Sequence, residues 1–491
     1  MKFKSNRRQF IKNTSITGLG LSIVPSHVIS GLGHTAPSDM LNVAAVGVGG
    51  MGRGKLNNMA KKINVVGLAD VDWKYAAKTF EEYPGAKRYK DYRKMFSEMS
   101  KDIDAVLVAT PDHTHAIVAA DAMTMGKHVY VEKPLTHSVA ESRLLTKMAE
   151  KYKVATQMGN QGSSSEEIRK ICEWIWNGEI GEVREVHCWT NRPIWPQGLE
   201  RPEGAMTVPD SLDWDLFLGP AASRPYHEVY TPWNWRGWWD FGTGALGDMA
   251  CHIMDNAYLA LKLKYPARVQ GTSTTLNTES PPQAETVQFI FPERPNDPSV
   301  KINFPEVKLS WYDGGIKPPR PANMPADFVM GDSGGGTMFI GSKDTLVANV
   351  YSGNPRLVSG RVPDVAKTLG RVQEGLNHET DWVRACKESP ENRVQASSHF
   401  GLSGPFNEIV VMGVLAVRLQ GLQKELIWDG PNMQFTNIKD NEEFSVITSN
   451  KFTMEDGRPR FNTQRIKLNA LAAAKEYISR TYRDGWKLPV L

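Results

Sequence analysis

At 491 residues the chain exceeds one typical domain, so two core domains are expected. Hydrophobic residues at 41% and charged residues at 23% suit a packed globular protein and argue against a disordered or membrane-embedded one. The formal net charge of +4 belongs to the N-terminus: without Lys2, Lys4, Arg7, Arg8 and Lys12, 53 basic residues face 54 acids, which leaves no electrostatic footprint for nucleic acid or an anionic membrane.

The N-terminal run Ser5-Asn6-Arg7-Arg8-Gln9-Phe10-Ile11-Lys12 places paired arginines before a weakly apolar stretch, 13–30. It resembles a twin-arginine export signal, with Asn6 as a small departure from the usual pattern. Gly18, Gly20, Pro25 and His27 leave the stretch too polar and short for a membrane span, and no lipid-attachment cysteine precedes Cys172. The expectation is a periplasmic protein without a membrane anchor, exported already folded by the twin-arginine machinery. Residues 1–30 are the signal and 31–38 a linker. Cys172, Cys188, Cys251 and Cys386 show no metal-site spacing and are expected to be reduced and structural.

An apolar run over 41–48 closes on Gly47-Val48-Gly49-Gly50-Met51-Gly52 and leads into a helix predicted over 51–62. Strand, glycine turn and helix form the setting in which G-x-G-x-x-G signifies dinucleotide binding. Gly47 permits the tight turn, Gly49 lets the backbone approach a pyrophosphate, and Gly52 lets helix and strand pack closely. The phosphates would rest on N–H groups at the helix start, around Gly50 and Met51. A second strand, 64–70, ends on Asp70, 18 residues beyond Gly52. Asp70 accepts ribose hydroxyls and repels a 2′-phosphate, so NAD is favoured over NADP.

Alternation continues with a helix over 73–83 and strands over 86–89, 104–109 and 128–131. A helix over 138–153 and a sixth strand over 154–159 complete a doubly wound parallel sheet spanning 39–159. From residue 160 the pattern changes. A helix over 164–176 passes through Gly178 and Gly181 to a strand over 183–190, and further strands over 287–291, 307–312 and 337–340 are separated by proline-rich loops such as Lys317-Pro318-Pro319-Arg320-Pro321. This predicts an α+β domain over 160–491 built on an open, largely antiparallel sheet. The fold class is therefore α/β, with a parallel nucleotide-binding sheet first.

Chemistry concentrates where strands end on the cofactor-facing edge. Thr110-Pro111-Asp112-His113-Thr114-His115 has the look of a metal tripod. Its place after a strand favours cofactor contacts by Thr110, Pro111 and His115, and no metal is assigned. Glu132-Lys133-Pro134 follows the fifth strand and sets a cation where it can meet a substrate oxygen, with Glu132 also facing the cofactor. Asn160, ahead of Gln161, is placed to approach the nicotinamide. In Gly242-Thr243-Gly244-Ala245-Leu246-Gly247-Asp248-Met249-Ala250-Cys251-His252, Asp248 and His252 share a face if the segment is helical. Trp235, Arg236 and Trp239 lie just upstream as candidates to hold a sugar ring, while Tyr312 reads equally as an opposite wall or an ordinary strand end.

In this order, the glycine loop, the Glu132-Lys133-Pro134 triplet and the Asp248/His252 pair resemble the glucose–fructose oxidoreductase/inositol dehydrogenase (Gfo/Idh/MocA) family over nearly the whole chain after the signal. The resemblance implies a Rossmann domain followed by an open-sheet substrate domain, bound NAD, a homo-oligomer, and a Lys-Asp-His set acting on a sugar or cyclitol hydroxyl. Here those residues are Lys133, Asp248 and His252, with His252 as base, Asp248 orienting it and Lys133 polarising the oxygen. Export adds the expectation of tightly held NAD recycled in the site. Two other readings stand beside it: an NAD-dependent glycoside hydrolase with a further base among Tyr226, Tyr312 and Asp313, and a non-catalytic NAD-binding protein.

Overall fold

The computed structural model describes residues 40–491, so the export motif, the apolar stretch and the linker lie outside the described residues. Six strands form the first sheet: β1 (Leu41–Val46), β2 (Ile63–Ala69), β3 (Lys87–Tyr89), β4 (Ala105–Val108), β5 (His128–Val131) and β6 (Thr156–Met158). All pair in parallel, in the order β3-β2-β1-β4-β5-β6. Helices cover both faces, which is why β4, Ala-Val-Leu-Val, is buried at every position. The strand order reverses between β1 and β4, and the crevice at that switch point is where ligands bind in such sheets.

The predicted helices are present with trimmed ends: Met51–Met59, Ala77–Glu82 and Val139–Tyr152. The last is stopped on its N-terminal side by a capping box between Ser138 and Glu141. One helix of this domain, Tyr92–Met99, was not foreseen, and the helix start expected within 110–115 extends as Asp112–Thr124. Tyr92–Met99 buries Tyr92, Met95, Phe96 and Met99 along one face and is capped by Asp91. Asp112–Thr124 is buried almost all round, so it carries no amphipathic stripe by which to recognise it.

The second sheet holds β7 (Val183–Thr190), β8 (Arg268–Ser273), β9 (Glu285–Phe291), β10 (Val307–Tyr312), β11 (Gly335–Gly341), β12 (Thr345–Asn349), β13 (Arg356–Leu357), β14 (Leu426–Asp429) and β15 (Gln434–Phe435). Its order is β13-β12-β11-β7-β10-β9-β8-β14-β15, and only β7 and β10 pair in parallel. Glu285, Val287, Phe289 and Phe291 of β9 point into the core while their neighbours do not. That core is closed by the helices Gly244–Ile253 and Phe400–Arg418. The latter is long and apolar enough to cross a membrane, yet it is buried between the second sheet and the helix Val139–Tyr152. A two-stranded ribbon, β16 (Glu443–Glu455) and β17 (Arg458–Asn469), leads to a last helix, Ala470–Ser479.

The chain leaves the first sheet near residue 160 but returns to it twice. The helix His378–Cys386 packs Trp382 and Val383 against Val43, Leu56 and Leu107, and Glu379 pairs with buried Lys55 at 2.7 Å. After the last helix, Tyr482 donates to Glu141 Oε1 at 2.7 Å, and Arg93 stacks on Trp486 at 4.3 Å. The two sheets therefore share one continuous packing arrangement rather than a simple division at a linker. The four cysteines are free and buried.

Candidate active site

A cavity of about 450 Å³ opens at the switch point, walled by both halves of the chain. On one side lie Gly47, Gly49, Gly50, Met51, Asp70, Thr110, Pro111 and His115, all singled out from the sequence as cofactor contacts. On the other lie Lys133, Trp235, Arg236 and Asp248. The size suits a dinucleotide-type ligand pocket, which commonly spans roughly 300–1,000 Å³.

The glycine loop fits a nucleotide by its geometry. Gly47 has φ +79°, and a Cβ there would lie 2.6 Å from the Ala109 carbonyl oxygen. A Cβ on Gly52 would lie 2.1 Å from the Gly47 carbonyl oxygen, so Gly52 packs helix onto turn and does not line the cavity. Asp70 closes the loop from below: its Oδ2 accepts the N–H groups of Val48 (2.8 Å) and Gly49 (3.0 Å), and its Oδ1 accepts that of Asp72 (2.9 Å). Burial nevertheless pushes Asp70 up to about 6. Tyr75 lies across Gly49 and Gly50 beside this carboxylate, a cavity residue the sequence reading missed.

Lys133 is positioned by the loop around it. Leu135 N–H donates to Asn407 Oδ1 at 3.0 Å, and the His115 ring bridges the Pro134 carbonyl (Nδ1, 2.7 Å) and the Thr110 carbonyl (Nε2, 2.8 Å). His113 Nε2 sits 2.9 Å from the Phe217 carbonyl. With both imidazoles engaged by backbone oxygens, the segment forms no metal tripod, and no metal-holding cluster occurs among the described residues.

Asp248 and His252 do stand on one helix, Gly244–Ile253. Its start is tied to the first domain: Asp112 Oδ2 accepts the Thr243 N–H (3.1 Å) and hydroxyl (2.7 Å). Lys133 Nζ forms an ion pair with Asp248 Oδ1 and donates to the Asp248 carbonyl at 3.1 Å. Arg236 Nε lies 3.1 Å from the same Oδ1, an ion pair whose angle is too poor for a hydrogen bond. Burial alone would raise Asp248, but the Lys133 and Arg236 cations outweigh it and hold the carboxyl well below its usual range.

The expected Asp248–His252 hydrogen bond is not formed among the described residues. The short aspartate turns to the two cations instead of reaching along the helix to the ring. His252 is buried, packs against Tyr351 with ring centroids 4.7 Å apart, and has no partner for Nδ1. Burial, and then the Lys133 charge, depress it well below 6.5, so the ring is neutral. It is not among the residues that line the cavity.

Other expected contacts separate. Glu132 lines the cavity and faces Lys55 at 3.5 Å. Asn160 is buried away from the cavity, where its amide donates to Ser163 Oγ (2.9 Å) and Asp255 Oδ2 (3.1 Å). Trp239 turns the other way and donates to the Asn277 carbonyl at 3.3 Å. The Tyr312 hydroxyl meets His187 Nδ1 at 3.1 Å, outside the cavity. In their place the wall gains Arg192 and Trp195, from the loop directly after β7, and Trp233 at the mouth, 63% exposed. The clustered Trp and Pro residues of 191–196 were the signal for the first two. Trp486 also lines the cavity, and nothing in its local sequence marks it.

Comparison with known proteins agrees with this architecture. Residues 41–160 match the model of an oxidoreductase family with an NAD-binding Rossmann fold, and 182–283 match that family's C-terminal alpha/beta domain. An inositol 2-dehydrogenase of Rhodococcus jostii (strain RHA1) is 30% identical over 179 residues, covering 36% of this chain and 48% of that protein. The chain thus spans about half the length of the curated relatives it matches. Among solved structures, the WlbA dehydrogenase from Bordetella pertussis, in complex with NADH and UDP-GlcNAcA, superposes with a TM-score of 0.52 at 16% identity, covering 79% of this chain and 99% of that one. GenD2 from gentamicin A biosynthesis, in complex with NAD, gives 0.52 at 17% identity, covering 84% and 100%. These two share the fold.

Proposed function

We propose that the chain is an oxidoreductase of the Gfo/Idh/MocA family, whose two domain models match residues 41–160 and 182–283, and that it oxidises a secondary hydroxyl of a sugar, glycoside or cyclitol. The observation that carries this reading is the Lys133–Asp248 ion pair on the wall of the cavity that also contains the glycine loop. NAD, when bound there, supplies the hydride acceptor. Lys133 donates to the substrate oxygen, and Asp248, shared with Arg236, holds that ammonium in place. His252, neutral and with Nδ1 unpartnered, is the base we assign to the hydroxyl proton, a role that requires its ring to reach into the cavity that Lys133 and Asp248 line. Trp195 and Trp235 give the sugar ring apolar surfaces to rest on.

Freshly purified protein should carry nucleotide by native mass spectrometry, and adding inositol or a hexose panel should raise reduced-nicotinamide absorbance. Bound nucleotide with no absorbance change across the panel would count against the reading. The hydrolytic alternative needs an extra base, and Tyr226, Tyr312 and Asp313 line none of the cavity.

Asp70→Ser removes both a charge and the acceptor that holds two loop N–H groups. The expected result is a preference for NAD over NADP narrowed by roughly tenfold, about 1.4 kcal/mol; titration with each nucleotide measures it, and an unchanged ratio would place the discriminating acid elsewhere.

The paired Arg7 and Arg8 support export to the periplasm with NAD already loaded and retained. Changing both to Lys should leave folded, nucleotide-bearing protein in the cytoplasm on cell fractionation. Normal export of that double variant would remove the twin-arginine route.

A further inference from the structure

A second cavity, of about 130 Å³, shares no lining residue with the first. It lies where the end of the helix Phe400–Arg418 meets the helix Ala470–Ser479 and the loop leading into the helix that bears Asp248. Two guanidinium groups face it. Arg418 sits 3.5 Å from the Tyr477 ring centroid and 5.1 Å from that of Trp239. Arg480 donates to the carbonyls of His113 (3.0 Å) and Asp240 (3.1 Å). Among the described residues no carboxylate pairs with either arginine.

The acids at the rim are already committed. Asp240 pairs with Arg224, and Glu476 accepts the Thr481 N–H (2.8 Å) and hydroxyl (2.7 Å). A third polar group is unsatisfied: His137 Nε2 is buried without a partner. Two guanidinium groups that no carboxylate pairs with, around one small void, present donors to an anion, while the lone pair of His137 Nε2 calls for a donor. Guanidinium groups held by stacking and by backbone carbonyls are already aimed, so little order is lost when they bind oxygen.

We propose that this cavity binds a small oxyanion of the phosphate class, held by Arg418 and Arg480, with a protonated oxygen of the anion donating to His137 Nε2. The volume admits the anion itself but not a nucleotide or sugar attached to it. Gly242 and Thr243 form part of the wall, and Thr243 holds Asp112 at the start of the helix carrying Asp248. The bound anion therefore lies against the segment that positions the active-site helix.

The test uses the full chain with saturating NAD, so that the glycine loop is filled, and inorganic phosphate as the probe at constant ionic strength. Calorimetry should detect phosphate binding. At ten times the measured Kd, modification of Arg418 by phenylglyoxal, followed by peptide mass spectrometry, should slow roughly tenfold by mass action. Arg192, on the first cavity's wall, should label at an unchanged rate. Arg418→Met keeps an apolar stem against Tyr477 and should abolish the phosphate-dependent rise in Tm. Absence of binding heat, unchanged Arg418 labelling, or equal phosphate stabilisation of Arg418→Met would each overturn the proposal. If Arg418→Met does not fold, protection in the unmodified protein decides.

Discussion

Lys133→Met lowers sugar-dependent reduction of the bound nucleotide by about 10²-fold or more, the usual scale for losing a group that handles the reacting proton or its oxygen. The side chain contributes a charge at the cavity wall and a contact to Asp248, and it touches neither Gly47 nor Gly52. NAD binding and the circular dichroism spectrum should therefore persist. Methionine keeps the length of the stem while Arg236 remains beside Asp248, so a buried carboxylate is not left alone. His252→Ala should fall by a similar factor. Its depressed pKa adds a signature: because the ring stays neutral well below 6.5, the rate should run flat through about pH 6.5, the ordinary histidine value, and decline only at lower pH. Asp248 gives a stability signature that also fades as pH falls. Its folded-state pKa lies below the unfolded one, so its contribution is present above about pH 3.9 and is lost as pH falls through the folded value. Turnover near normal in Lys133→Met with NAD still bound would make the Lys-Asp-His assignment wrong.

Much of this site was legible because it depends on local rules. A strand that ends on Gly47, a helix that needs Gly52 and a second strand that ends in Asp70 are all encoded within thirty residues of one another. Lys133 could be placed because β5 is a short strand, His-Val-Tyr-Val, buried at its last three positions, whose end must face the crevice. The misreadings arise where long-range partners decide. Spacing put Asp248 and His252 on one face, but the carboxylate follows the nearest cations, Lys133 and Arg236, which come from elsewhere in the chain. Trp239 sits only three residues after Arg236, yet the turn through Gly237 sends it to the opposite side. Asn160 is captured by Asp255 and Ser398, neither of which is near it in sequence. The helix His378–Cys386 and the C-terminal Trp486 return to the first sheet after excursions of hundreds of residues, and no periodicity announces such a return.

Gly52→Ala is expected to weaken NAD binding by about 10²-fold, or about 2.8 kcal/mol. The added Cβ would stand 2.1 Å from the carbonyl oxygen of Gly47, a backbone atom that no side-chain rotation can move aside. Gly47 is itself closely confined: a Cβ built on it would lie 2.6 Å from the Ala109 carbonyl oxygen and 2.7 Å from the Thr110 nitrogen, just beyond the end of β4. Relief must come from the helix Met51–Met59 backing away from β1, which carries with it the N–H groups that would hold the pyrophosphate. Gly54 provides the control within the same helix: a Cβ there meets nothing within 4 Å. Gly54→Ala should bind NAD normally and gain roughly 0.4–1 kcal/mol of stability from the less flexible unfolded chain. Calorimetric titration of both variants after nucleotide removal, with thermal unfolding alongside, separates lost binding from lost fold. Should Gly52→Ala bind NAD as tightly as Gly54→Ala, the phosphates do not rest on this loop, and the cofactor enters the cavity in some other orientation.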